Sequence, residues 1–248
     1  MLHLDHVTKR YGAFTAVNDV TLHLPVGQIF GFLGPNGAGK TTTMKMIAGL
    51  IRPTEGHVRV DGIDVVRDPL AAKRCIGYVP DRPSLYERLT PVEYCDFVAG
   101  LYGMTEAEAR PRSTELLALF GLGEHRSALI ESFSHGMKQR LVMASVLLHR
   151  PRLLVVDEPM VGLDPRGARL LKDVLRRSAR EDGLTVMLST HTLEVADELC
   201  DRMAVIHRGR LVGVGSPAEL RTATGAEGQK LEEVFLALTE EEAVAPPR

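Results

Sequence analysis

Apolar and polar positions along this chain alternate first in short strand-like runs, then recur at helical spacing, then return to short runs. His3 to Val7 and Val20 to Leu24 are predicted strands, and Pro25-Val26-Gly27 is a turn. Gln28 to Leu33 is a compact apolar strand that runs directly into Gly34-Pro35-Asn36-Gly37-Ala38-Gly39-Lys40-Thr41-Thr42. Met44, Ile47 and Ala48 then fall at helical spacing, which predicts a helix from Thr41 to about Leu50. Val58–Val60 and Ile76–Val79 are further strands. From about Leu85 to Arg150 helical patterns dominate, as in Pro91–Leu101 and Thr114–Phe120, which predicts a helical insertion. Strands return at Leu153–Val156, Val186–Ser189 and Met203–Ile206. The first two follow helices, so βαβ units and a mainly parallel sheet are expected. Arg169–Arg180 is amphipathic, with Leu171, Val174 and Leu175 as its stripe and its basic residues read as a solvated face. Glu240–Glu242 and Pro246–Arg248 read as a frayed tail.

Composition narrows the class. The chain has 248 residues, 44% hydrophobic and 25% charged, which is enough to build a real core. A net charge of −2 supplies no global attraction to nucleic acid or to an anionic membrane. Three cysteines, Cys75, Cys95 and Cys200, have no zinc-type spacing and read as small buried hydrophobes of a reduced cytosolic protein. The first residues lack the pattern of a signal peptide. No window approaches the ~18 apolar residues a membrane span requires. A membrane role would therefore need a second chain.

Two features carry chemistry. Gly34 to Thr41 fits G-x-x-x-x-G-K-[ST] and lies between a strand and a helix. Its glycines let successive amides turn toward phosphate oxygens, and the helix adds its positive end. Gly34, Asn36, Gly37, Ala38, Gly39 and Thr42 form the cradle. Lys40 is expected to reach the β- and γ-phosphates, and Thr41 to offer a hydroxyl to magnesium. The second feature is Leu153-Leu154-Val155-Val156-Asp157-Glu158, an apolar strand ending in two carboxylates. At the C-terminal end of a parallel strand, Asp157 is placed to hold magnesium, in part through water. If the strand extends that far, Glu158 would point the other way by strand alternation and activate the attacking water.

Ser132-Phe133-Ser134-His135-Gly136-Met137-Lys138-Gln139-Arg140 resembles the signature segment of the ABC ATPase family. Ser134 is suited to cap the helix that follows, and Gly136 to let backbone approach a phosphate, so the segment reads as a second anion site. The resemblance implies that this second site faces ATP held by another subunit. It also implies that Val161-Gly162-Leu163-Asp164-Pro165 is the loop that touches the partner, and that His191 in Ser189-Thr190-His191 senses the γ-phosphate. By the same resemblance, Tyr11 stacks on adenine. The fold expected is α/β, a P-loop ATPase core with a mainly parallel sheet. To that core are added an N-terminal antiparallel β portion and an inserted helical subdomain at about 85–150. The ATPase domain would run over 1–220, with a C-terminal helix and tail over 221–248.

Asp81 stands where most members of that family place a glutamine near magnesium and the attacking water, and His135 and Met137 replace common glycines. The variant resembles an exporter-like branch that works with a separate permease. The implied activity is magnesium-dependent ATP hydrolysis at the cytoplasmic face of a membrane, with no nucleic-acid partner. The lone cassette makes two identical subunits the simpler expectation, a similar chain in place of one being the other. The alternative is a soluble, non-transport ABC ATPase acting on DNA or ribosomes. Such members usually carry two cassettes or a long coiled-coil insertion, and neither is present in this sequence.

Overall fold

The computed structural model describes residues 1–82, 84–225 and 229–244. It opens on a hairpin of β1 (Leu2–Tyr11) and β2 (Phe14–Leu24), longer than the two predicted strands. Alternation breaks inside both. His6 and Asp19 have φ of 47° and 55°, and the β1–β2 register shifts between Leu4 and Val7. A bulge changes which face the next side chains take while the strand continues, so hydropathy alone ends the strand too early.

β3 (Ile29–Leu33) and α1 (Lys40–Ile47) follow. Gly49, at φ 65°, ends the helix before Leu50. Next come β4 (Glu55–Val60), β5 (Ile63–Asp64), α2 (Pro69–Cys75) and β6 (Ile76–Val79). The inserted helices are α3 (Pro91–Leu101), α4 (Glu106–Leu119) and α5 (His135–Val146). A capping box of Thr105 and Glu108 starts α4 well before Thr114. The chain then forms β7 (Leu153–Asp157), α6 (Pro165–Glu181), β8 (Thr185–Thr190), α7 (Leu193–Leu199), β9 (Arg202–His207) and β10 (Arg210–Gly215). It closes with α8 (Pro217–Ala223) and α9 (Leu231–Val244). The backbone of Glu240–Glu242 is thus helical where a tail was expected, while Pro246–Arg248 lie outside the described residues.

Two sheets result, in strand orders β2-β1-β4-β5 and β10-β9-β3-β8-β7-β6. The first is antiparallel. The second is parallel except for the edge strand β10. Strand alternation sorts the larger sheet into two cores. Leu154, Val156, Val186 and Leu188 pack with α5 and α6 residues such as Leu141, Leu171 and Leu175. Leu153, Val155 and Met187 pack on the other face with Phe30, Phe32 and Met44. Every residue of β3 and β7 is buried, as expected for parallel strands covered on both sides. Each fully buried large apolar side chain there contributes about 1.5–3 kcal/mol, so these central strands fix where their C-terminal ends lie.

The stripe Leu171, Val174 and Leu175 of α6 is buried. Its basic face is engaged locally: Lys172 and Arg176 pair with Glu198, and Arg177 pairs with Glu181 at 2.8 Å. Cys75, Cys95 and Cys200 are free thiols.

His149 joins the helical subdomain to the core. Its ring stacks on Tyr102, at the end of α3, with centroids 3.6 Å apart. Its Nε2 lies 3.3 Å from the Ile76 carbonyl of β6. Burial pushes His149 down to about 4 from 6.5, with the Ile76 bond opposing. Its folded pKa is below its unfolded value, so the unfolded chain takes the proton first. Stability should fall as pH drops from about 6.5 to about 4, and no further from this group below that. Discounted for partial solvent contact, the loss is about 2–3 kcal/mol. His149→Phe keeps the stack and removes the titration. Its urea midpoint should therefore drop less than wild type between pH 7 and pH 4.5; equal drops would refute the assignment.

Candidate functional site

The segment Gly34–Thr42 leaves the C-terminal end of β3, which lies between β8 and β9 in the larger sheet. Gly39 adopts φ 110°, and a Cβ there would meet the Ala16 carbonyl at 2.5 Å. A Cβ on Gly34 would press into Ile206, with Cγ2 at 2.9 Å. Both positions demand glycine, for space and, at Gly39, also for backbone. Ala38 is buried beneath the loop, its amide 3.2 Å from the Pro35 carbonyl and its own carbonyl accepting from Gly209 N–H at 2.9 Å.

Helices α3, α5, α6 and α8 begin with side-chain caps from Thr90, Ser134, Asp164 and Ser216. Helix α1 begins on Gly39, with no side-chain cap and no acidic residue in its first turn. Its leading amides and positive dipole end are presented to an anion. Lys40 folds back into the loop, where Nζ donates to the Gly34 carbonyl at 2.6 Å and to the Pro35 carbonyl at 3.2 Å. Burial lowers its pKa, while Glu158 and Asp157 act in the opposite direction.

Alternation along β7 places Asp157 on the face of Leu153 and Val155, toward α1. There its Oδ2 accepts from the Thr41 hydroxyl at 2.8 Å. Its Oδ1 accepts from the Ser189 hydroxyl, on the paired residue of β8. Glu158 is not oriented by alternation: β7 ends at Asp157, and Glu158 adopts φ 52°. Its amide donates to the Ser189 carbonyl at 3.2 Å and to the Ser189 hydroxyl at 3.1 Å. This left-handed turn brings Glu158 Oε1 to 2.9 Å from His191 Nδ1. The carboxylate is mostly buried and the imidazole mostly exposed, at 13% and 58%. A non-glycine residue held at positive φ stores strain, and such strain concentrates at working sites.

A cleft of about 330 Å³ opens over these groups. Asn36, Gly37, Gly39, Lys40, Thr41 and Thr42 line one side, and Asp81, Asp157 and Glu158 the other. Phe14 and Ala16 of β2 close it at the hairpin end. Tyr11 lies opposite Phe14 across the hairpin turn, half exposed, with Lys9 Nζ 5.2 Å from its ring centroid. Phe14 lines the cleft and Tyr11 does not. Ser134 is exposed at the start of α5, where its hydroxyl accepts from Met137 N–H at 3.3 Å. Asp164 accepts from Gly167 N–H at 2.9 Å and so caps α6. Neither of these two, nor Gly136, lines the cleft of its own chain.

Ser189, Phe14 and Ala16 join the site although the sequence reading gave them no role. Ser189 becomes visible only once β7 and β8 are paired in register, and no local pattern reports that pairing.

The donor set around Asp157 is hydroxyl and carboxylate oxygen, which suits magnesium. Among the described residues no three His, Cys, Asp or Glu side chains form a metal cage. A magnesium ion that retains water and takes phosphate oxygens does not require one.

Comparison with known proteins places the chain in a family. A family model described as "ABC transporter" matches residues 17–161. The linearmycin resistance ATP-binding protein of Bacillus subtilis (strain 168) is 38% identical over 227 residues, covering 92% of this chain and 73% of that protein. A solved ATP-binding subunit of an ABC transporter superposes with a TM-score of 0.90 at 34% identity, covering 96% of this chain and 99% of the other. A dimeric ATP-binding cassette in a post-hydrolysis state bound to ADP and Pi superposes with a TM-score of 0.79 at 29% identity, covering 87% and 98%.

Proposed function

The chain belongs to the ABC transporter family as an ATP-binding and ATP-hydrolysing subunit, and from that premise we propose that it powers export through a separate membrane permease, as one of two identical subunits at the cytoplasmic face. Among the described residues no helix is long and apolar enough to cross a membrane, so the permease would supply the span. The resistance role in the name of the Bacillus subtilis relative favours an antibiotic-like cargo.

The observation that carries the reading is Asp157, held between Thr41 of the phosphate loop and Ser189 of the neighbouring strand, with Glu158 turned onto His191. In the proposed reaction Lys40 and the loop amides hold the β- and γ-phosphates of ATP. Thr41 and Asp157 would hold magnesium, with Asp81 beside them. When bound, magnesium neutralises charge on the phosphate oxygens. Glu158 accepts the proton as water oxygen bonds to the γ-phosphorus and the bond to the bridging oxygen of ADP breaks. His191 keeps the Glu158 carboxylate in place and reads the γ-phosphate. Phe14 flanks the base end, with Tyr11 opposite it across the hairpin turn.

Ser134 and Gly136 stand outside their own cleft, which fits an anion site that closes over a second subunit's ATP. Asp164 lies in the loop that would face that subunit. Nucleic acid is not a proposed partner, since net charge is −2 and Lys172, Arg176 and Arg177 of the basic face of α6 are paired with carboxylates.

The permease would dock beside Asp81, on an apolar groove of about 420 Å³ lined by residues that include Leu85, Tyr86, Leu89 and Phe97. Tyr86 and Phe97 meet edge to face, with centroids 5.1 Å apart, yet both remain exposed. A tagged chain purified from native membranes in mild detergent should bring down a polytopic membrane protein in stoichiometric amount. Tyr86→Asp should cut that recovery by about tenfold, as loss of a buried aromatic anchor does. Recovery of ribosomal or DNA-associated proteins alone would overturn the transporter reading in favour of a soluble ABC ATPase.

A further inference from the structure

The start of α5 and the loop after Glu158 touch within one chain. Gly162 adopts φ 77°, and a Cβ built there would collide with the His135 ring, with Nε2 at 2.6 Å. Next to it, a Cβ on Gly136 would sit 3.6 Å from Leu163 Cδ2 and 3.7 Å from the Gly162 carbonyl, ordinary packing distances. The His135 ring therefore rests directly on the bare Cα of Gly162. No side chain lies between them to absorb a displacement.

The loop under that ring is braced at both ends. Val161 N–H donates to the Glu158 carbonyl at 3.2 Å, and Leu163 N–H donates to the Met160 carbonyl at 3.3 Å. These two turns tie Gly162 back to Glu158. On the near side the Glu158 amide is fixed to Ser189. On the far side Asp164 is fixed as the cap of α6. Movement of His135 against Gly162 would be taken up by the residues between these anchors and would reach Glu158 through the Val161 bond to its carbonyl.

We infer that His135 is a positioning residue that couples the two ATP sites, an inference that rests on the paired subunits proposed above. Ser134 and Gly136, on either side of His135, would grip ATP bound to the second subunit. Gly162, under His135, leads to the Glu158 that acts on ATP bound to its own subunit. Occupancy of one site is thereby conveyed to the general base of the other through the imidazole-on-glycine contact.

The test is the ATP dependence of steady-state phosphate release by the full chain. Wild type should show a Hill coefficient clearly above 1, toward the upper bound of about 2 that two sites set. His135→Ala should bring it to about 1. Gly162→Ala should lower kcat about tenfold by forcing the ring away, and His135→Ala in the same chain should recover part of that loss, because the clash has gone while alanine at φ 77° stays strained. A ring that only stabilised the fold would alter the melting temperature and leave the Hill coefficient unchanged. The control is the Glu158→Gln chain with ATP and magnesium. If it fails to pair, the dimer reading falls and the inference with it. If it pairs, an unchanged Hill coefficient in His135→Ala overturns the inference alone.

Discussion

Replacing Glu158 with Gln should reduce steady-state ATP turnover about a thousandfold and leave ATP binding within a fewfold of wild type. The substitution keeps the shape of the side chain and its hydrogen bond to His191, at 2.9 Å in the native protein. It removes the group that can accept a proton from water. The backbone of residue 158 is held at φ 52° by two bonds from its amide to Ser189, not by its side chain. The turn should therefore survive, and the phosphate loop on α1 with it. Phosphate release and calorimetric ATP titration on the same preparation separate the two effects. Turnover near the wild-type rate would remove Glu158 from the role of base.

Lys40→Ala should weaken ATP binding about a hundredfold or more, since a buried cation that pairs with phosphate is lost. Its effect without nucleotide runs the other way. Burial lowers the Lys40 pKa below 10.5, so folding disfavours the charged form. That cost is full at pH below the folded pKa and disappears as pH rises past 10.5. Alanine removes the cost along with two bonds, to the Gly34 and Pro35 carbonyls. The nucleotide-free variant should therefore melt at or slightly above the wild-type temperature, while the rise that ATP produces in wild type vanishes. Thermal scans with and without ATP check both statements. A variant that melts far lower yet still gains stability from ATP would show that Lys40 is structural.

Much of this site can be read directly in the sequence, because it depends on local chemistry. Gly34 to Thr42 declares both its turn and its ligand through residue type and spacing. The apolar run before Asp157 declares a buried strand with a carboxylate at its C-terminal end. Features that depend on register or on unusual backbone are not legible in that way. Glu158 is oriented by a positive φ rather than by the period of the strand. Ser189 reaches Asp157 because β7 and β8 are neighbours, although their residues lie far apart in sequence. The bulges at His6 and Asp19 conceal the true length of the first hairpin, and with it the position of Phe14 in the cleft. The contact of His135 with Gly162 joins two segments that each look complete alone.

A site finished only by a second subunit predicts a change of mass on binding ATP. Light scattering after size exclusion, on the Glu158→Gln chain, measures that change directly. With ATP and magnesium the expected mass is about 54 kDa, twice the 27.2 kDa of one chain, and with ADP it should return to 27.2 kDa. A mass of 27.2 kDa with ATP saturating the cleft would contradict the paired site, and with it the roles assigned to Ser134 and Gly136.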